Sequence, residues 1–317
     1  MALRNGLMID ASAELPEDVL RDARLAVLPV KIQIGDRYFL DARDAATTQA
    51  FTATYLDRNA AENARSVPYR DDEMRAYFLD KVATQFDHVF GLFVTRTRST
   101  IYDSAFAAAS RVIGESVPVR NAAGLKGPLF VECYDSQNLI TGYGVLVLEM
   151  LRTLDYSGSQ AGIRARLESI IPRAYTYLAP RDLEFILTRG RARGDQSVGL
   201  FSAAAARFLN VLPVLMGHRG DTAAVAKLRG YEQGRDYVLR LARRELQRGL
   251  LAPYIAVSFS GDTDEVRALP QFQALCDDAR AKDVTVTLCA MSPTNAVNVG
   301  AGALAVGFIA EEHPPTL

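Results

Sequence analysis

A chain of 317 residues with a hydrophobic fraction of 49% can bury one large core or two of ordinary size, and its length favours two domains. Its 36 Lys and Arg stand against 37 Asp and Glu, so no global field draws it to nucleic acid or an anionic membrane, and any anion site has to be local. The apolar stretches break well before the ~20 residues of a membrane span, and LRNGLMID is too short an apolar run for a signal peptide, which points to a cytoplasmic protein.

In chain order, GLMI (6–9) reads as a strand ending at Asp10, and Ser12 ahead of a Pro16-led amphipathic turn marks a helix start. AVLPVKIQIG (26–35) reads as one further strand and YFLD (38–41) as another beyond a Gly-Asp turn. Helical segments follow around 47–58 and 70–85, then the strand HVFGLFV (88–94), a helix from about Ser99, the strand LFVECY (129–134) and a buried helix over 139–153. This rhythm predicts a mainly parallel sheet with helices on both faces. The second half has helices near 159–173 and 196–208 around AYTYLAP and the loop LTRGRARGD, then a hairpin from LPVLMG and VAKLRG. A long helix (231–248), YIAVSFSG, a helix over 263–281, VTVTLCA, a polar loop and ALAVGFIA complete an α/β half with antiparallel character. The Gly/Ser-rich LDYSGSQAG places the seam near 153–160, giving an N-terminal domain of residues 1–157 and a C-terminal domain of 158–317 with a mixed sheet.

Ligands of open α/β sheets gather beyond the carboxyl ends of the strands, where VTRTRST (94–100) lies. If the strand alternation continues, Thr95, Thr97 and Ser99 point one way and Arg96 and Arg98 the other. A helix starting near Ser99 would add its free N–H groups to an anion cradle. Equally, the corner reads as a serine cap beside two solvated arginines. Asp10 and the YDSQN stretch (134–138) also sit at strand ends and serve as well for capping turns. RGRARGD (189–195) is basic and glycine-containing but lacks the GxxxxGK[ST] or GxGxxG spacing of phosphate loops. The Gly-Ala-Gly of SPTNAVNVGAGAL (292–304) reads as a tight turn or a close backbone approach. His88, His218 and His313 are scattered, and Cys133, Cys276 and Cys289 have no metal-ligand spacing, so the cysteines read as reduced thiols. With no Ser-His-Asp, metal or paired-carboxylate pattern, the residues point to a binding protein without a cofactor more than to a catalyst.

The ordered series DASAELP (10–16), LPVKIQIGDRYFLDARD, SVP (66–68), STIYDSA (99–105), YDSQNLITGYG (134–144), DLEFILTRGR (182–191), LNVLPVL (209–215), KLRG (227–230) and NVGAGALAVGF (298–308) resembles the DegV family of fatty-acid-binding proteins over nearly the whole chain. The resemblance implies two α/β domains, an acyl tail buried in a tunnel, here expected in the C-terminal domain, and an acid group held at the cleft between them. It also implies, for members that serve bacterial fatty acid kinase, presentation of that acid group to a separate kinase subunit. Ser99 falls on the serine of the family's Ser-Gly-Thr-Tyr motif, and Tyr102, Ser104 and Ala105 agree with it. Thr100 and Ile101 replace its glycine and threonine. Arg65, followed by Ser66, stands where the family has a carboxylate-binding threonine, and Arg191 keeps the arginine of the Gly-Gly-Arg loop while Arg189 replaces its first glycine. Asn298 replaces the histidine before Gly-Pro-Gly, and Ala301 its proline. These departures leave two expectations for the head: Arg65 grips an acid group, carboxylate or phosphate, in bidentate fashion, or it turns to solvent and Ser66 takes the threonine's place. A kinase partner would cover the cleft near Arg191, Arg229 and Asn298, and a partner protein whose pocket merely tunes an interaction is a further reading. A reading from another class is an enzyme acting on a phosphorylated or carboxylated metabolite, since the layout also resembles parts of dihydroxyacetone kinases and sugar-phosphotransferase components.

Overall fold

The computed structural model describes residues 3–157, 159–192 and 211–314. Its first half runs β1 (Asn5–Asp10), α1 (Glu17–Leu20), β2 (Leu25–Leu28), β3 (Val30–Ile34), β4 (Arg37–Asp41), α2 (Ala45–Tyr55), α3 (Arg58–Asn63), β5 (Ala64–Val67), α4 (Asp71–Tyr77), β6 (His88–Phe93), α5 (Ile101–Ala122), β7 (Phe130–Asp135) and α6 (Ile140–Tyr156). Strands β2-β1-β6-β7 form a wholly parallel sheet. Both faces of β1 and β6 are covered, which is why GLMI and HVFGLFV are continuous rather than alternating apolar runs. Met8, Val89 and Phe93 meet α4 and α5 on one face, while Leu7, Ile9, Phe90 and Leu92 meet α6 on the other.

AVLPVKIQIG is two strands rather than one. Leu28 pairs with Asp10 in the parallel sheet, whereas Val30–Ile34 belongs to a separate antiparallel sheet of order β4-β3-β5. Pro29 has no N–H to give to a ladder, and the chain changes sheets there. Ser12 does not cap α1, whose N-cap position is Pro16; its N–H bonds Asp10 Oδ1 at 3.0 Å instead.

The second half runs α7 (Gln160–Ile170), β8 (Ala174–Ala179), α8 (Leu183–Ala192), β9 (Val211–His218), β10 (Asp221–Arg229), α9 (Tyr231–Arg248), β11 (Tyr254–Phe259), α10 (Thr263–Arg267), α11 (Pro270–Arg280), β12 (Thr285–Ala290), α12 (Pro293–Val299) and β13 (Leu304–Ile309). The sheet order is β10-β9-β8-β13-β11-β12; β11 and β12 are parallel and the other neighbours antiparallel, so the sheet is mixed as expected. Three segments differ from the sequence reading. The start of the expected basic loop is the last turn of α8: Asp182 accepts from the N–H of Glu184 and Phe185, and Leu183, Ile186, Leu187 and Gly190 are buried at helical spacing. The 263–281 helix is two helices, because Pro270 fits only a first turn. The polar stretch after β12 is helical, with Ser292 capping Asn295 N–H and Pro293 in the first turn. The helix expected over 196–208 lies outside the described residues.

Helix α6 joins the halves. It packs on β8, β11 and β13 as well as on β1. Its glycines permit this: a Cβ on Gly144 would lie 2.2 Å from the Glu14 carbonyl oxygen, and one on Gly307 of β13 would lie 2.4 Å from the Thr141 backbone. The core around α6 therefore mixes Leu7 and Phe90 of the first sheet with Ala256 and Ile309 of the second.

Candidate functional site

A cavity of about 770 Å³ opens beyond the carboxyl ends of β1 and β6, where the first sheet faces the second. That volume falls within the range of roughly 300–1,000 Å³ usual for small-molecule sites. Its lining divides by chemistry. Ile140, Leu178, Ile186, Leu215 and Val299 give an apolar wall, mostly from the second half, and Val30, Val94 and Ile101 extend it into the first. Ser99, Arg98, Thr97, Arg65 and Ser66 give a polar rim, and Arg189, Asn295 and Asn298 a polar flank.

The corner after β6 is fixed by tertiary hydrogen bonds. Val94 N–H donates to Asp10 Oδ2 at 2.8 Å and Thr95 N–H to the Asn138 carbonyl at 3.0 Å. The chain then turns, with Arg98 N–H donating to the Thr95 carbonyl at 2.9 Å. Strand alternation therefore stops at Phe93, and Arg98 lines the cavity beside Ser99 instead of pointing away from it. Arg96 does leave: it pairs with Asp103 at 2.8 Å and lies over the Tyr102 ring. Ser99 Oγ accepts from Ile101 N–H at 3.3 Å, two residues ahead of it, while Thr100 occupies the N-cap position of α5 without a side-chain cap bond.

The remaining sequence candidates separate. Thr95 is fully buried outside the lining, its hydroxyl 3.2 Å from that of Thr97, which itself donates to the Gly220 carbonyl at 2.6 Å. Thr100 lines a smaller groove next to the cavity, shared with Ser66, Arg98 and Ser99. Asp10 lies in the lining with no exposed surface, accepting from Ser12, Val94 and Tyr143. Burial pushes its pKa up and those hydrogen bonds pull it back. Arg65 is exposed at the rim, and its Nε and Nη2 donate to Gln33 Oε1, its cross-strand neighbour, at 2.9 and 2.6 Å. Arg191 is exposed and outside the lining, whereas Arg189, 5% exposed, lines the cavity and donates through Nε to Asn298 Oδ1 at 3.1 Å. Two residues along a helix point to nearly opposite sides, so only one of the two can face inward. Ile186, Arg189 and Gly190 share the i, i+3, i+4 face that lines the cavity, a spacing legible in the sequence once 183–192 is taken as a helix.

Behind Asn298, two buried carboxylates hold the start of α12. Glu14 accepts from Ser292 N–H at 2.9 Å and Asn295 Nδ2 at 2.6 Å, with Arg43 Nη1 at 3.4 Å. Asp41 accepts from Thr294 N–H at 3.0 Å and its hydroxyl at 2.6 Å. Burial pushes Asp41 up, against the pull of Arg43. Burial likewise pushes the Cys133 and Cys289 thiols to about 12, so both stay protonated. No group of His, Cys, Asp and Glu among the described residues is placed to hold a metal, and no described helix is long and apolar enough to cross a membrane.

The family model described as "Uncharacterised protein, DegV family" matches residues 5–311. The chain belongs to the DegV family. A DegV domain-containing protein of Xanthomonas axonopodis pv. citri is 36% identical over 311 residues, covering 98% of this chain and 99% of that protein. Among solved structures, a stearic-acid-binding protein from Eubacterium ventriosum superposes with a TM-score of 0.75 at 18% identity, covering 97% of this chain and 98% of that one. DegV of Bacillus subtilis, solved as a fatty acid binding protein, superposes at 0.73 with 16% identity, covering 98% of this chain and all of that one, 100%. The layout of a parallel sheet, a mixed sheet and a small antiparallel one is thus the DegV-family fold.

Proposed function

We propose that this DegV-family protein binds a long-chain fatty acid or related acyl lipid without transforming it. The observation that carries the reading is the cavity's division into an apolar wall and a rim of Ser99, Arg98 and Arg65. Tail burial is the source of affinity: around 14 methylenes at ~0.8 kcal/mol each give ~11 kcal/mol gross. A charge-assisted hydrogen bond to the head contributes only about 1.5–3 kcal/mol, so the head sets orientation. Ser99 and Arg98 receive the acid group, carboxylate or phosphate, and Arg65 joins them by exchanging Gln33 for the ligand. The fatty-acid-binding neighbours support the ligand class. The exposed rim around Arg65 and Thr100 leaves the head accessible to a partner, and we assign it to presentation, with a kinase subunit as the expected acceptor.

The test is mass spectrometry of compounds extracted from the purified protein, together with direct binding of added fatty acids. Straight-chain acyl acids are expected, and Ser99→Ala is expected to weaken binding about tenfold. A preparation that carries no acyl compound and binds none, or a Ser99→Ala variant with unchanged affinity, would overturn the proposal. Copurification with a kinase subunit checks presentation separately.

A further inference from the structure

A second cavity, of about 1,000 Å³, shares no lining residue with the first. It opens beyond the carboxyl ends of β11 and β12, the parallel neighbours of the second sheet, which end at Phe259 and Ala290. Ends of adjacent parallel strands are where α/β sheets collect ligands. The opposite wall comes from the segment 15–21 and from α2.

Its lining contains polar groups that the protein leaves unmet. Arg43 has a side chain only 5% exposed; Nη1 faces Glu14, Nη2 donates to the Leu15 carbonyl and the Cys289 thiol lies against the guanidinium, but Nε has no hydrogen-bond partner among the described residues. Ser260 is 1% exposed and its hydroxyl is likewise unpartnered among the described residues, although its backbone is fixed on both sides, N–H to the Ala303 carbonyl and carbonyl to Gly302 N–H. Buried polar atoms are rarely left this way, and two such residues in the lining of one cavity point to a ligand that supplies the missing partner. Arg43 can only donate and a hydroxyl can donate, so the matching group is an oxygen acceptor. Arg181 adds a third donor: its stem crosses Gly302, where a Cβ would fall 2.4 Å from Arg181 Cδ, and its guanidinium lies over the Tyr231 ring.

The remaining charges bound the ligand's size in charge. Arg21 is paired with Glu17 and Arg267 with Asp264, and Asp18, Asp262 and Glu265 share the lining with Arg181. Such acids oppose a polyanion and tolerate a monoanion or a zwitterion. We propose that this cavity binds the carboxylate or phosphate group of a small polar molecule of low net charge, with Arg43, Ser260 and Arg181 as its donors.

The test titrates the purified full chain with acetate, glycine, inorganic phosphate and, as the polyanion, pyrophosphate, by calorimetry in a buffer free of other oxyanions. Saturable binding of at least one of the first three, with Kd below about 10 mM and tighter than pyrophosphate, is expected. Ser260→Ala or Arg181→Ala should weaken it about tenfold, and Ser99→Ala, which alters the other cavity, should leave it unchanged. Arg43 is kept intact, since its removal would strand Glu14. No saturable binding, binding untouched by both Ser260→Ala and Arg181→Ala, loss in Ser99→Ala, or preference for pyrophosphate would each overturn the proposal.

Discussion

Replacing Glu14 by alanine tests how α12 is held. Glu14 has no exposed surface, and its carboxylate takes Ser292 N–H, the Asn295 amide and Arg43. Glu14→Ala leaves Arg43 without that partner, strands Ser292 N–H and takes one of two acceptors from the Asn295 amide, the Ser12 carbonyl remaining. Breaking one side of a buried ion pair costs about 3–5 kcal/mol. Asp41 also attracts Arg43, which sets the expectation at the lower end, about 3 kcal/mol. A domain stable by about 5–15 kcal/mol survives that loss, so the variant remains measurable. Urea unfolding followed by circular dichroism gives the change from the midpoint at constant slope. Arg43→Met should cost a similar amount, while the double variant Glu14→Ala, Arg43→Met removes both charges and should lose at least about 2 kcal/mol less than the sum. Because Asn295 and Asn298 reach the first cavity from α12, Glu14→Ala should also weaken acyl binding. A cost below about 1 kcal/mol, or strict additivity in the cycle, would refute the clamp.

Two further outcomes are expected. Ile186→Trp puts an indole against the apolar wall and should abolish binding of the longest acyl chains while sparing shorter ones, at a stability cost of about 1–3 kcal/mol; displacement of a fluorescent fatty acid across a chain-length series reads it, and unchanged preference would remove Ile186 from the tail's path. Glu132 is held down to about 2, first by its hydrogen bonds from Arg164, and Asp87 is also depressed, first by Arg4. A carboxylate whose folded pKa lies below its unfolded one stabilises the protein above the ordinary range near 4.3 and loses that contribution as pH falls toward about 2. Urea midpoints should therefore drop between those values, and drop less steeply in Glu132→Gln; an identical slope would mean the pairing is not retained in solution.

The parts of the fold legible in the sequence are those set by burial on two faces or by a local turn: β1, β6 and β13 as continuous apolar runs, and the β9–β10 hairpin around Arg219 and Gly220. The three-stranded sheet was not legible, because Gln33 meets Arg65 across two intervening helices and no periodicity names a partner at that distance. Helix α8 was masked by its arginines and Gly190, although Asp182 and the apolar spacing carried the signal. In the site, Ser99 and Asn298 were legible from residue order and motif, whereas the inward turn of Arg98 depends on Thr95 being held by Asn138, a tertiary contact. Choosing Arg189 over Arg191 required knowing the helix phase.

The glycine seams of α6 bear on how quickly a ligand can come and go. With Gly144 flush against Glu14 and Gly307 flush against Thr141, the helix is locked to both sheets, and swinging them apart would tear open the core of Leu7, Phe90, Ala256 and Ile309. Exchange by a jaw-like motion would require that whole core to separate. A local exit through the rim needs no such separation: among the described residues the Arg65 side chain is hydrogen-bonded only to Gln33, and Thr100 makes no side-chain cap bond. The residence time of a bound acyl chain should therefore respond to substitutions at Arg65 and Thr100 more than to a loosening of the α6 core.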